Sequence, residues 1–470
     1  MEKYFDNSGE QKDSVQRFEE MVRKNEHYFF DLSTYEFIIQ HYISKGDFDK
    51  AISACNMGIE QHPYSGDLMI EMAQLHMDGG HYKQALEAIE KAETLQPGDY
   101  ELIGLKGAVL LDMERFSESI EAYLYVLPFA EEKDEAHYNL GLAYQGLGDN
   151  NEAIRHFKEA LTINSANEDA LFELVTCLEI EDALESSISY YEEFIDSNPY
   201  SSNGWYNLGI VHDKLGQFEK AVNAYEYATL IEPEFSSAFY NLGSTLMHMG
   251  KFIEAIEYFE KTIELESWQD ALLFLNLGQC YHQLEQYEKA ISYYQKALFI
   301  DDENDMACFG VGKCLDEQER WYESIHFFKK AAKLDPTSSS YWMSLAEAEY
   351  KVGNLTSSLD AYQNAADLDP KNRYVWLNWS YLVSEQGDYD RAIELALSGL
   401  DELPEDAEIY YRTVAYMILA GNYKEAFNFL ENALILDYDK HVLLFEFFPE
   451  LETQKALMKI IDQFKEGDVR

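Results

Sequence analysis

Basic residues are scarce in this chain of 470 residues. There are 36 Lys+Arg against 87 Asp+Glu, a formal net charge of −51. Such a surface repels the phosphates of nucleic acids and anionic lipids and attracts basic protein segments, so nucleic-acid binding is excluded first. Proline and glycine are also few, at 9 and 25, which points to long regular elements with little loop. Cysteine numbers only 5 and forms no C-x-x-C pair, as expected in a reducing compartment. No apolar run approaches the length that spans a bilayer, and MEKYFDNSGEQKDS at the N-terminus lacks a basic and apolar leader. The expected location is therefore the cytoplasm, without membrane insertion. Phosphate-binding glycine loops, H-E-x-x-H and G-x-S-x-G are absent from the sequence. The five cysteines fall on positions that repeat as packing positions. These absences predict a non-enzyme with no cofactor and no metal. Apolar residues still make up 47%, ample for a core.

What is present is periodic. A small residue recurs at Ala51, Ala85, Ser119, Ala153, Ser187, Ala221, Ala255, Ala290, Ser324, Ser358, Ala392 and Ala426. The spacing is 34 throughout, except for 35 between Ala255 and Ala290. Four residues after this anchor stands an aromatic in eight copies, Tyr123 and Phe157 among them. Twelve after it stands Pro in seven copies, five before it Gly in eight, and twelve before it a small residue in most. The apolar spacing of i, i+4, i+7 and i+8 marks one helix face. The mid-repeat Gly ends a first helix, and the Pro stops the second. The unit is thus a helical hairpin that buries its faces only by stacking on neighbours, which makes an all-α solenoid.

Trp205-Tyr206-Asn207-Leu208-Gly209, Ala221, Tyr225, Ala228 and Pro233 resemble the motif of the tetratricopeptide repeat family. The resemblance implies antiparallel helix pairs stacked as a right-handed superhelical solenoid, with twelve repeats over 32–440. It also implies a concave groove lined by residues 18, 15, 14, 11 and 8 before each anchor. An N-terminal tail and capping helix are expected over 1–31, with Val15, Phe18, Met21 and Val22 on its apolar face. Residues 441–470 read as a degenerate thirteenth repeat or C-terminal cap, bent near Pro449. Three copies depart from the pattern: Lys106 and an off-register Pro128 in the third, Val175 and Asp182 in the fifth, and Glu266-Ser267-Trp268-Gln269 in place of the proline turn in the seventh.

The family's geometry nominates a peptide-binding groove. Fourteen before the anchor lies Asn in five copies, Asn139, Asn207, Asn241, Asn276 and Asn378, and an amide can both donate to and accept from an extended peptide. Satisfaction by neighbouring backbone is the plain alternative. The Lys needed for a carboxylate clamp is absent, so that mode is not expected. From Glu159 to Asp213 no Lys or Arg occurs, and Glu173 and Glu179 are the acids nominated for a basic partner. Met343, Tyr350, Tyr374, Tyr381 and Tyr411, with Leu377 and Ile418, form an aromatic and apolar stripe toward the C-terminus. Either it offers apolar anchoring sites or the chain's own end packs on it. The expected function is a protein–protein interaction scaffold or adaptor, holding an extended or helical partner segment with basic residues and apolar anchors. The alternatives are a chaperone or secretion/assembly adaptor, or a regulatory subunit of an enzyme on another chain. Partner identity and oligomeric state are not legible.

Overall fold

The computed structural model describes residues 7–24, 26–265 and 270–465. Among these residues the regular structure is entirely helical. The chain divides into two compact units, Met1–Ala238 and Phe239–Arg470. In each, helices alternate as antiparallel pairs, such as Gly66–Asp78 with Tyr82–Leu95 in the first and Ala271–Gln283 with Tyr287–Ile300 in the second.

Local chemistry sets the ends of these helices. First helices open on short polar caps: Asp31 accepts from the backbone N–H of Thr34, and Ser201 from that of Gly204, which satisfies donors that a helix start leaves free. The residue five before each anchor takes positive φ in every pair. Eight are glycines, such as Gly148 at 86°; the others are Glu114, Asp182, Glu285 and Glu319 at 53–60°. The turn geometry therefore holds even where the residue type opposes it.

Packing explains the rest of the period. The anchors are buried, and Ser119 and Ser358 donate to the carbonyls of Gly107 and Ala346 in the facing helix, at 2.8 and 2.7 Å. The small residue twelve before the anchor lies under the aromatic four after it: a Cβ on Gly209 would stand 2.5 Å from Tyr225. After each repeat proline, a Trp locks the turn where one is present. Trp205, Trp342 and Trp376 donate from Nε1 to the carbonyls of Pro199, Pro336 and Pro370.

The first unit begins with the helix Asn7–Lys24, which places Val15, Phe18 and Met21 against Phe30, Tyr35 and Tyr42. Val22, expected on the packed face, is 46% exposed. It comes one residue after Met21, which turns it about 100° away from the buried stripe. In the third pair the second helix, Phe116–Val126, has 11 residues, where its counterparts have 14. The early Pro128 stops it short. Val175 is buried among the core of its pair. Glu266, Ser267, Trp268 and Gln269 lie outside the described residues.

The second unit ends in short pieces, Tyr438–Val442, Leu443–Phe447 and Pro449–Thr453, and then the helix Lys455–Lys465. Leu444, Phe448, Leu451, Leu457 and Ile461 join the core of the last pair, while Ile460 and Phe464 pack at its edge and Phe447 is 39% exposed.

Candidate functional site

The second unit carries a cavity of about 590 Å³. Its walls include Met247, Gln279, His282, Met306, Phe309 and Lys313, all at offsets of 18, 15, 11 or 8 before an anchor. Gly310 occupies the offset that holds Asn276 in the preceding pair and is part of the lining. Without a side chain there, the ring of Tyr294 comes through as floor; a Cβ on Gly310 would lie 2.5 Å from its Cζ. Phe309 is braced by Phe328 and Tyr341, with centroids 5.6 and 4.6 Å away, and Tyr341 is fixed by its hydroxyl, which donates to Asp305 at 2.7 Å.

Half of the lining is polar, from His248, Gln279, His282, Gln283, Lys313 and two serines. His282 Nε2 is enclosed and has no hydrogen-bond partner among the described residues. Burial lowers the pKa of this ring, Glu317 opposes the shift and Lys313 adds to it. Glu347, outside the lining, accepts from Asn378 at 2.9 Å. Burial raises its pKa, and Lys313 and Lys351 act against that shift. The cavity sets the apolar Met247, Phe252, Met306 and Phe309 beside hydrogen-bonding neighbours, a form suited to a large apolar side chain with polar groups around it.

The residues nominated for the groove differ in how far they are free. Asn207 is buried, its amide donating to Asn203 O at 2.9 Å, with its oxygen enclosed and without a partner among the described residues. Asn276 is buried and donates to the Tyr240 hydroxyl at 3.0 Å, and Asn378 donates to Glu347. Asn139 and Asn241 are half-buried. The ladder thus spends much of its hydrogen bonding inside the protein. Glu173 accepts from Gln145 at 2.8 Å, and Glu179 pairs with Lys214 at 2.6 Å. Met343 and Tyr350 are half-buried, and Tyr374 is 59% exposed beside Arg373.

Tyr411 is a correction. It is 1% exposed and donates to the carbonyl of Asp437 at 2.8 Å. Leu377 and Ile418 are buried as well. The offsets that face the cavity in the middle of this unit are covered at its end by the chain's own 438–453 segment. Phe448 packs on Tyr381 and edge-on against Tyr416, and Phe447 lies on Arg412 at 3.3 Å. Arg412 is buried, and its Nε and Nη1 have no partner among the described residues. The cavity has no motif of its own in the sequence, since its lining is drawn from four helix pairs. The legible signal was the break at Gly310 in the asparagine position.

All five cysteines are buried and free. Burial pushes the thiols of Cys55, Cys280 and Cys314 up to about 12, far from the range of a reactive thiolate. Among the described residues no helix is long and apolar enough to cross a membrane.

Three sequence profiles described as tetratricopeptide repeat match residues 70–134 and 312–373, residues 134–167 and 202–235, and residues 234–303. Together they cover more than half of the chain, which belongs to the tetratricopeptide repeat family. Protein O-mannosyl-transferase TMTC3 of Homo sapiens is 26% identical over 137 residues, 27% of this chain and 14% of that protein. Photosystem I assembly protein Ycf3 of Prochlorococcus marinus (strain MIT 9301) is 28% identical over 107 residues, 22% of this chain and 62% of that protein. The chain thus spans less than two thirds of either relative. Among solved structures, YrrB, described as a TPR protein with an unusual peptide-binding site, is 22% identical with a TM-score of 0.35, covering 39% of this chain and 95% of that one.

Proposed function

We propose that this chain is a non-enzymatic interaction scaffold whose second unit seats an apolar anchor of a partner protein in the Met247–Phe309 cavity. The observation that carries the reading is the 590 Å³ space itself, with Met247, Met306 and Phe309 among its walls at offsets that the family's geometry assigns to the groove. Its floor is fixed by Tyr294 and its wall by Phe309, so little ordering remains to be done on binding. The partner segment is extended or helical, with an apolar side chain for the cavity and, outside it, a Lys or Arg drawn to the acidic surface. The net charge of −51 speeds its encounter. The buried thiols support the absence of catalysis in this chain, and the cytoplasm is the location that fits them. An assembly adaptor is the second reading, favoured by the match to a photosystem assembly protein over 107 residues.

The test is selection of a displayed peptide library on the purified chain, with a Met306→Ala, Phe309→Ala double variant as counter-target. Selected peptides should share one large apolar residue with a nearby Lys or Arg, and should bind the double variant at least about tenfold more weakly. Peptides that bind both proteins alike would move the site off this cavity.

A further inference from the structure

The third helix pair of the first unit breaks the repeat on its outer side, away from the groove offsets. Thirteen before the anchor, other copies bury an apolar side chain, such as Leu140, Leu208, Leu277 or Leu345. Here the residue is Lys106, whose Nζ pairs with Glu93 at 2.8 Å with both side chains about 30% exposed. A charged group at a core position opens a cleft of about 280 Å³, lined by Glu93, Lys106, Glu118, Glu121 and Tyr125. Lys106 is committed to Glu93, and Glu118 is held by Arg115 through Nε and Nη2 at 2.8 and 2.6 Å. Glu121 is exposed and has no ion pair among the described residues. One carboxylate of the cleft is thus left over.

Beside this cleft stand three exposed rings. The shortened helix Phe116–Val126 and the turn at Pro128 bring Tyr125 and Phe129 alongside Tyr100 from the start of the facing helix. Tyr100 stacks on Phe129 at 4.2 Å, and Tyr125 lies 6.2 and 6.5 Å from the two. All three remain exposed, at 39%, 52% and 53%. A guanidinium matches both halves of this surface. Its flat face lies on an aromatic ring, and its edge donates two hydrogen bonds to a carboxylate. An ammonium can also sit over a ring, as Lys158 does over Tyr190, but it is a point charge without the flat face and the paired donors.

We propose that this surface is a second docking site, separate from the groove, for an arginine-bearing segment of a partner protein. The arginine enters the cleft beside Tyr125 and donates to Glu121, and the neighbouring chain runs over Tyr100 and Phe129. This site is independent of the cavity in the second unit, so either stands if the other fails.

The probe is a fluorescein-labelled peptide of arginines spaced by Gly-Ser, with matched lysine and glutamate peptides, titrated into the full chain. Salt well above physiological strength shortens screening to about 3 Å and suppresses diffuse attraction to the acidic surface. The arginine peptide should still bind more tightly than the lysine peptide, and the glutamate peptide should not bind. Hydrogen exchange should show protection over residues 116–130. Tyr125→Ala with Phe129→Ala should weaken the arginine peptide about three- to tenfold, the range of one or two cation–ring contacts. Tyr227→Ala, at an exposed ring stacked on Trp205 elsewhere in the same unit, should change nothing. If the double variant melts early, Glu121→Gln replaces it, since an exposed residue leaves the fold intact, and it should lower affinity for the arginine peptide in the same direction. Equal binding of arginine and lysine peptides, or no protection over 116–130, overturns the proposal.

Discussion

The middle and the end of the second unit use the same register positions for opposite purposes. Around Phe309 they line an open cavity; around Tyr411 they are core. The offsets are identical, since Phe309 and Tyr411 both stand 15 before an anchor. The difference lies in the next stretch of chain. Beyond Phe309 comes another helix pair, whereas beyond Tyr411 comes a segment that folds back through Phe447 and Phe448. Register therefore determines which way a side chain points in a repeat protein. Whether it meets solvent depends on the next segment, and solenoid energetics make that a nearest-neighbour question.

The sharpest way to break this comparison is to remove a ring from each of the two regions. Phe448 is 7% exposed and touches Tyr381 and Tyr416, so Phe448→Ala should cost about 3–5 kcal/mol, as for other buried rings. The loss should be confined to the last pair, seen as faster amide exchange over 407–465 with little change over 271–300. Phe309→Ala removes a half-buried ring at the cavity and should cost roughly half as much, with its main effect on peptide affinity. Uniform loosening of the whole unit by Phe448→Ala would mean that its pairs unfold as one block.

Filling the cavity sharpens the comparison from the other side. Gly310→Leu places a side chain where Tyr294 already stands, and overpacking of this kind costs about 1–3 kcal/mol. It should also abolish peptide selection. A variant that still enriches the same peptides at the same affinity would show that the space is not the seat.

Much of this was legible in the sequence. The small anchor, the ring four after it and the turn five before it each restate one contact of a helix pair, and they recur often enough to be read without a structure. Even Glu114 and Glu285 keep the left-handed turn, because neighbouring copies define the geometry more strongly than one residue opposes it. The candidate site was less legible. Asn276 looked available for a peptide, but its amide is taken by Tyr240, 36 residues away, a partner that spacing within one repeat does not reveal. Tyr411 reads as groove from its offset alone; of the two readings of the stripe, packing by the chain's own end is the one that holds there.

Arg412 offers a smaller test. It is buried beneath Phe447 with two unpartnered nitrogens, and such a charge is a weak contributor to stability even with a ring beside it. Arg412→Met keeps the volume and removes the unpaired donors. It should leave stability unchanged or raise it by about 1 kcal/mol, measured by urea denaturation. A large loss would mean that the cation itself holds the 438–453 segment down.

The smallest expected effect is one of pH, and it has opposite signs in the two regions. At the cavity, burial lowers the His282 pKa below its ordinary 6.5, Glu317 opposing and Lys313 assisting. The folded state then holds fewer protons on this ring than the unfolded chain does. Its contribution is fully present above 6.5 and is lost as pH falls through the lowered value. At the covered end, burial raises the Tyr411 pKa above its ordinary 10.0. The unfolded chain ionises this phenol first, so its contribution is present below 10.0 and is lost as pH rises through the raised value. His282→Gln should therefore flatten the acid side of the stability profile below 6.5 and leave the alkaline side alone. Tyr411→Phe should do the reverse, at a constant cost of about 0.5–1.5 kcal/mol for the hydrogen bond to Asp437. Urea midpoints taken from mildly acid to alkaline pH give both limbs. An acid limb unaltered by His282→Gln would show that the ring is solvated at the cavity wall, and an alkaline limb unaltered by Tyr411→Phe would show that the chain end does not keep its phenol from water.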